Sequence, residues 1–200
     1  MPIYQLKISQ LFFVLLTFCF IFIPNSAWAI QKDIVILYTN DVHCGIEDNL
    51  GYTKLAQYKE DVQQDTPYIA LVDAGDAIQG TPIGKLSTGE AIINIMNEIG
   101  YDFAIPGNHE FDYGMDTFLS YAQNASADFL SCNFVSTETG ETVFDAYKVV
   151  PYEVNGREIK IGYVGICTPE TITKSTPTYF QNEDGEFIYG FSAQTNEQLY

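Results

Sequence analysis

A chain of 200 residues with 46% hydrophobic and 14% aromatic side chains can bury a core, which excludes disordered and collagen-like classes. Nine Lys and Arg stand against 26 Asp and Glu, a net charge of −17, with Arg157 as the single arginine. That balance argues against nucleic acid as a partner, because phosphate backbones demand clustered basic side chains; phosphate chemistry here needs cations to reverse the local field.

The N-terminus carries Lys7, an apolar run from Leu11 to Ile23, then Pro24-Asn25-Ser26 and the small-x-small triplet Ala27-Trp28-Ala29. This order predicts a secretory signal peptide over residues 1–29, cut after Ala29. The run is shorter than the roughly 20 apolar residues a membrane span requires, so no stable span remains after cleavage. The protein is expected to be secreted, periplasmic or held at the cell surface. Losing Lys7 moves the net charge from −17 to −18. Cys44, Cys132 and Cys167 remain, an odd number without close spacing, which indicates neither a disulfide framework nor a thiolate zinc site.

Asp33–Thr39 is a β-branched apolar run, apolar on both faces, and predicts a central strand buried on both sides. Leu55, Tyr58 and Val62 mark a helix over 52–64, and Tyr68–Val72 a second buried strand. Ser87-Thr-Gly-Glu90 has capping-box spacing before Ile92, Ile95, Met96 and Ile99, with Gly100 as the stop. Phe103–Ile105 is a short third strand. Met115, Phe118, Leu119 and Ala122 define another helix, and Phe129–Cys132 a fourth strand. Asn155-Gly156 is the strongest hairpin signal, its second strand ending in Ile159–Cys167. From Thr168 onward the pattern weakens into polar residues. Strand and helix alternate from 33 to 132, which predicts an α/β fold with a largely parallel sheet plus an antiparallel portion.

Ligands of open α/β sheets bind beyond the carboxyl ends of strands, and three polar clusters fall there. They are Thr39-Asn-Asp41-Val-His43, Asp73-Ala-Gly-Asp76 and Gly107-Asn108-His109-Glu110-Phe-Asp112-Tyr-Gly114; both histidines of the chain lie within them. Asp41 and His43, two apart in an extended segment, can chelate one ion. Carboxylate and imidazole together suit zinc, manganese or iron(II). Asp76, in a sharp turn after Gly75, has room to bridge two ions, and Asn108 offers a neutral amide oxygen. Asp112 lies close enough to orient the His109 imidazole. Glu110 is given no role beyond structure, and Phe111 and Tyr113 are placed beneath the site as packing.

These strings, in this order, resemble the calcineurin-like metallophosphoesterases, and in fuller form the 5′-nucleotidase/UDP-sugar hydrolase branch, across about residues 33–170. The resemblance implies a metallophosphoesterase-type layered α/β sandwich that is incomplete at the C-terminus. Residues 30–200 are then the N-terminal part of the catalytic domain, without its later metal ligands or the nucleotide-binding domain; no histidine follows His109. It further implies two divalent metal ions, zinc, manganese or similar, with Asp41 and His43 on the first, Asp76 bridging and Asn108 on the second. His109 and Asp112 form the catalytic dyad. The implied reaction is hydrolysis of a nucleotide or other small phosphoester by metal-bound hydroxide, 5′-nucleotidase in type. The alternatives are cyclic-nucleotide phosphodiesterase, UDP-sugar hydrolase, or a non-catalytic remnant.

Overall fold

The computed structural model describes residues 32–192, so the leader assigned to residues 1–29 lies outside the described residues. Strands β1 (Val35–Thr39), β2 (Ile69–Asp73), β3 (Phe103–Ala104) and β4 (Asp128–Phe129) form one parallel sheet in that order. Parallel neighbours need crossovers, and each carries helix. These are α1 (Gly51–Asp65), then α2 (Pro82–Ser87) with α3 (Glu90–Ile99), then α4 (Met115–Asn124). The alternation expected over 33–132 is therefore the observed architecture, with β4 starting one residue earlier and ending sooner than its apolar run.

Register places Leu37 beside Leu71 and Ala104 beside Phe129 on one face. That face packs on Tyr52 and Leu55 of α1, Ile92 and Met96 of α3, and Phe118 of α4, all buried. Full burial of a side chain such as Leu71 stabilises by about 1.5–3 kcal/mol. The opposite face is a different matter. Ile36 is 43% and Tyr38 75% exposed, so the expected burial of β1 on both sides is corrected. Away from β1 that face is covered: Ala70 of β2 is 2% exposed, Phe103 meets Tyr163 at 4.6 Å and Lys148 pairs with Asp128 at 3.6 Å.

Those two covering residues belong to the hairpin β6 (Tyr147–Val154) and β7 (Arg157–Val164), which form their own two-stranded sheet. Asn155 (φ 52°) and Gly156 (φ 75°) turn it, the paired positive dihedrals that an Asn-Gly hairpin turn needs. The weakly patterned tail after Thr168 is ordered as well. It holds α5 (Thr171–Lys174), a 3₁₀ turn at Pro177–Phe180, and β8 (Tyr189–Phe191) antiparallel to β5 (Phe134–Ser136). Phe180 is fully buried there, against Phe111 at 4.9 Å.

Two local readings need correction. α3 has no capping box: Gly89, left-handed at φ 92°, precedes Glu90, while Ser87 closes α2 and donates its hydroxyl to Ile83 O at 2.7 Å. Pro82 opens α2, a helix hidden in sequence by its six-residue length. Tyr58, expected on the buried stripe of α1, is 52% exposed; the buried residues of that helix are Tyr52 and Leu55. Cys44, Cys132 and Cys167 are free thiols, and no helix of the described residues is long and apolar enough to cross a membrane.

Candidate metal centre

The loops leaving β1 and β2 are stitched together by their backbones. Asp41 N–H donates to Gly75 O at 3.0 Å, His43 N–H to Asp76 O at 3.0 Å, and Cys44 N–H to Ala77 O at 2.9 Å. To make these bonds the first loop is not extended, as its sequence suggested. Asp41 (φ 53°), His43 (φ 48°) and Cys44 (φ 58°) are left-handed, and so is Asp76 (φ 60°). Each such non-glycine residue costs about 1 kcal/mol or more and persists because neighbouring bonds hold it. The side chains of Asp41 and His43 still converge, Oδ1 lying 3.7 Å from Nε2.

The second and third loops touch through glycine. A Cβ on Gly75 would stand 2.6 Å from Gly107 N, and one on Gly107 would stand 2.7 Å from Asp76 N. Neither loop could approach the other with larger residues at those positions. The approach lets His109 N–H donate to Asp76 Oδ1 at 2.8 Å. Asn108 lies between these two contacts, half-buried at the head of the 3₁₀ turn His109–Phe111.

The imidazoles are oriented from behind. His43 Nδ1 lies 3.1 Å from Gln79 O, and His109 Nδ1 lies 2.6 Å from Asp112 Oδ2. With each Nδ1 proton so held, Nε2 is the free nitrogen of both rings. The rings meet edge-on at 4.9 Å, and His43, Asp76 and His109 each bring a ligating atom within 4.8 Å of the others. Asp41 is the outermost member, with its side chain 56% exposed. It borders a cleft of about 190 Å³ that also takes in Asn40, Asp48, Asn49 and Tyr52. All six residues singled out by sequence thus lie on these three loops.

Sequence reasoning passed over two acids. Glu110, 2% exposed, accepts backbone N–H bonds from Asp76 and Ala77 at 2.8 Å each and from Gly107 at 2.7 Å. Its partners are main-chain groups, which leave no side-chain trace to find. Asp73, 4% exposed, accepts from Thr39 Oγ1 at 2.6 Å and from Gly75 N–H at 3.0 Å. Burial pushes its carboxyl up to about 7. The folded protein therefore holds a proton there that the unfolded chain has lost, and stability falls as pH rises from about 4 to 7. Asp73→Asn keeps an acceptor for Gly75 and a donor for Thr39. In chelator-treated protein it is expected to flatten that fall and to add about 2–4 kcal/mol at pH 8. Urea titrations at pH 5 and 8 check this, and a variant weaker than wild type at pH 8 overturns it.

Fold and site first define a class: α/β proteins that gather imidazole, carboxylate and amide side chains at the carboxyl end of a parallel sheet, a donor set suited to divalent metal. The chain belongs to the calcineurin-like phosphoesterases, whose family model matches residues 34–183. It is 29% identical over 171 residues to a 2′,3′-cyclic-nucleotide 2′-phosphodiesterase/3′-nucleotidase of Yersinia enterocolitica, covering 74% of this chain and 26% of that protein. It is likewise 29% identical over 166 residues to a 5′-nucleotidase of Vibrio vulnificus, covering 78% of this chain and 29% of that protein. The crystal structure of the calcineurin-like phosphoesterase YfkN from Bacillus subtilis superposes with a TM-score of 0.63. There the identity is 28%, over 78% of this chain and 53% of that one. The chain spans little more than a quarter of the length of the two curated relatives. Its resemblance to this family, and the α/β fold that follows, are thereby established.

Proposed function

We propose that this chain is the N-terminal part of the catalytic domain of an exported, divalent-metal-dependent phosphoester hydrolase that removes phosphate from nucleotides in the manner of a 5′-nucleotidase. The observation that carries this reading is the meeting of His43, Asp76 and His109, with Asp112 seated on the far nitrogen of His109. Export rests on the N-terminal pattern ending at Ala29.

The donor set fits divalent metal. Two imidazoles present Nε2 because their Nδ1 atoms are engaged, and the carboxylates of Asp41 and Asp76 stand beside them. Asp41 and His43 would hold one ion, Asn108 a second, and Asp76 both. When bound, such ions supply positive charge for the phosphoryl oxygens and acidify water. In a chain of net charge −17, that supply decides whether a phosphate can enter.

His109 is left to act on the leaving oxygen. Asp112 holds the proton on Nδ1 and leaves Nε2 to exchange protons. Nε2–H would pass its proton to the departing alcohol as the ester P–O bond breaks, and the water that forms the new P–O bond would give up the proton that restores Nε2–H. A second reading follows from the 4.8 Å cluster: His43, Asp76 and His109 hold a single ion, with His109 a ligand and not an acid. Elemental mass spectrometry of the purified protein, equilibrated with manganese or zinc, separates them. Two ions per chain, with phosphate released from AMP in preference to 2′,3′-cyclic AMP, support the first. One ion, lost in His109→Ala, supports the second. No bound ion overturns both, and preference for the cyclic diester moves the substrate to the phosphodiesterase class.

A further inference from the structure

We propose that Glu110 is a positioning residue that sets the metal-binding geometry of Asp76. This rests on the reading of Asp76 as a metal ligand. Asp76 is held on every side but one. Its carbonyl accepts His43 N–H at 3.0 Å and its Oδ1 accepts His109 N–H at 2.8 Å, while its own N–H is taken by Glu110 Oε2 at 2.8 Å. The same Oε2 takes Gly107 N–H at 2.7 Å, and Oε1 takes Ala77 N–H at 2.8 Å. One carboxylate therefore ties the loop after β2 to the loop after β3 at the point where Gly75 and Gly107 make contact.

That clamp answers a physical need. Gly75 (φ 98°) is free to adopt many conformations, and Asp76 at φ 60° sits in a sparsely populated region. Without an anchor the Asp76 backbone would sample other conformations, and its carboxylate would leave the two imidazoles. The two carboxylate oxygens of Glu110 between them accept all three backbone donors. An amide in its place turns an NH₂ group toward at least one backbone N–H. The 3₁₀ turn thus grips Asp76 twice, by the His109 N–H on one side and the Glu110 side chain on the other.

The test uses Glu110→Gln, which conserves volume, and reads metal affinity and amide exchange separately. In the metal-free wild type the N–H groups of Asp76, Ala77 and Gly107 are expected to exchange slowly. In the variant these three are expected to speed up, while Leu71 and Phe118 stay protected. Manganese or zinc affinity, measured by competition with a chelator, is expected to weaken about 10–100-fold. Fast exchange of the three amides in the wild type overturns the assignment even if the variant does not fold. Unchanged exchange and affinity in a folded variant also overturn it, and so does a general loss of protection without a change in affinity, since that marks a purely structural role. A wild-type chain that binds neither metal, yet protects the three amides, sinks the metal reading instead.

Discussion

Asp76→Ala is expected to weaken manganese or zinc binding by about 100-fold or more and to remove phosphoester hydrolysis with it. Loss of a supporting group already costs about 10–100-fold, and Asp76 is the ligand that would hold both ions in the reading offered above. The substitution also orphans His109 N–H, which loses its acceptor at 2.8 Å. An unsatisfied donor costs about 1–3 kcal/mol, so the third loop should loosen as well. Chelator competition and phosphate release from AMP, measured on the same preparation, check both parts. Affinity within twofold of wild type would remove Asp76 from the ligand set.

Phe111→Ala is expected to destabilise the fold by about 3–5 kcal/mol, a large fraction of what a domain of this size holds in reserve. Phe111 is fully buried and meets Phe118 at 4.9 Å, Phe180 at 4.9 Å and Phe134 at 5.3 Å. Three rings from three separate stretches of chain converge on it, so no single neighbour can relax into the space. It also ends the 3₁₀ turn that His109 begins, which couples core packing to the site. Urea unfolding is the measurement; a loss below about 1 kcal/mol would mean that the cluster repacks.

The parallel sheet and the three loops of the candidate site were legible because their signals are local. Short apolar runs end in Asp41-x-His43, Asp76 and Asn108-His109, and the polar residues stand where strands stop. What escaped depends on contacts made across the chain. The partners of Glu110 are backbone N–H groups, one of them 34 residues away, and leave no pattern. Phe180 looked like part of a polar tail, since a single Phe among Thr, Pro and Gln has no period to reveal that it closes the core. β1 misled in the other direction. Its apolar residues on both faces describe the composition of a buried strand, whereas Tyr38 lies open among the described residues. The loop at Asp41 and His43 was expected to be extended, because a left-handed turn in non-glycine residues is dictated by the neighbouring loop and not by its own sequence.

The left-handed backbone at Asp41, His43 and Asp76 carries one more consequence. A free peptide with the same residues would have to adopt three unfavourable conformations before it could chelate, so it should be a poor ligand at any concentration. An ion would then bind the folded chain and hardly the unfolded one, so its binding adds to stability. An ion held at a hundred times its Kd would add about 2.7 kcal/mol to the stability of the folded chain. Melting temperature should accordingly climb with free metal and fall in chelator, so a thermometer can report occupancy without any substrate.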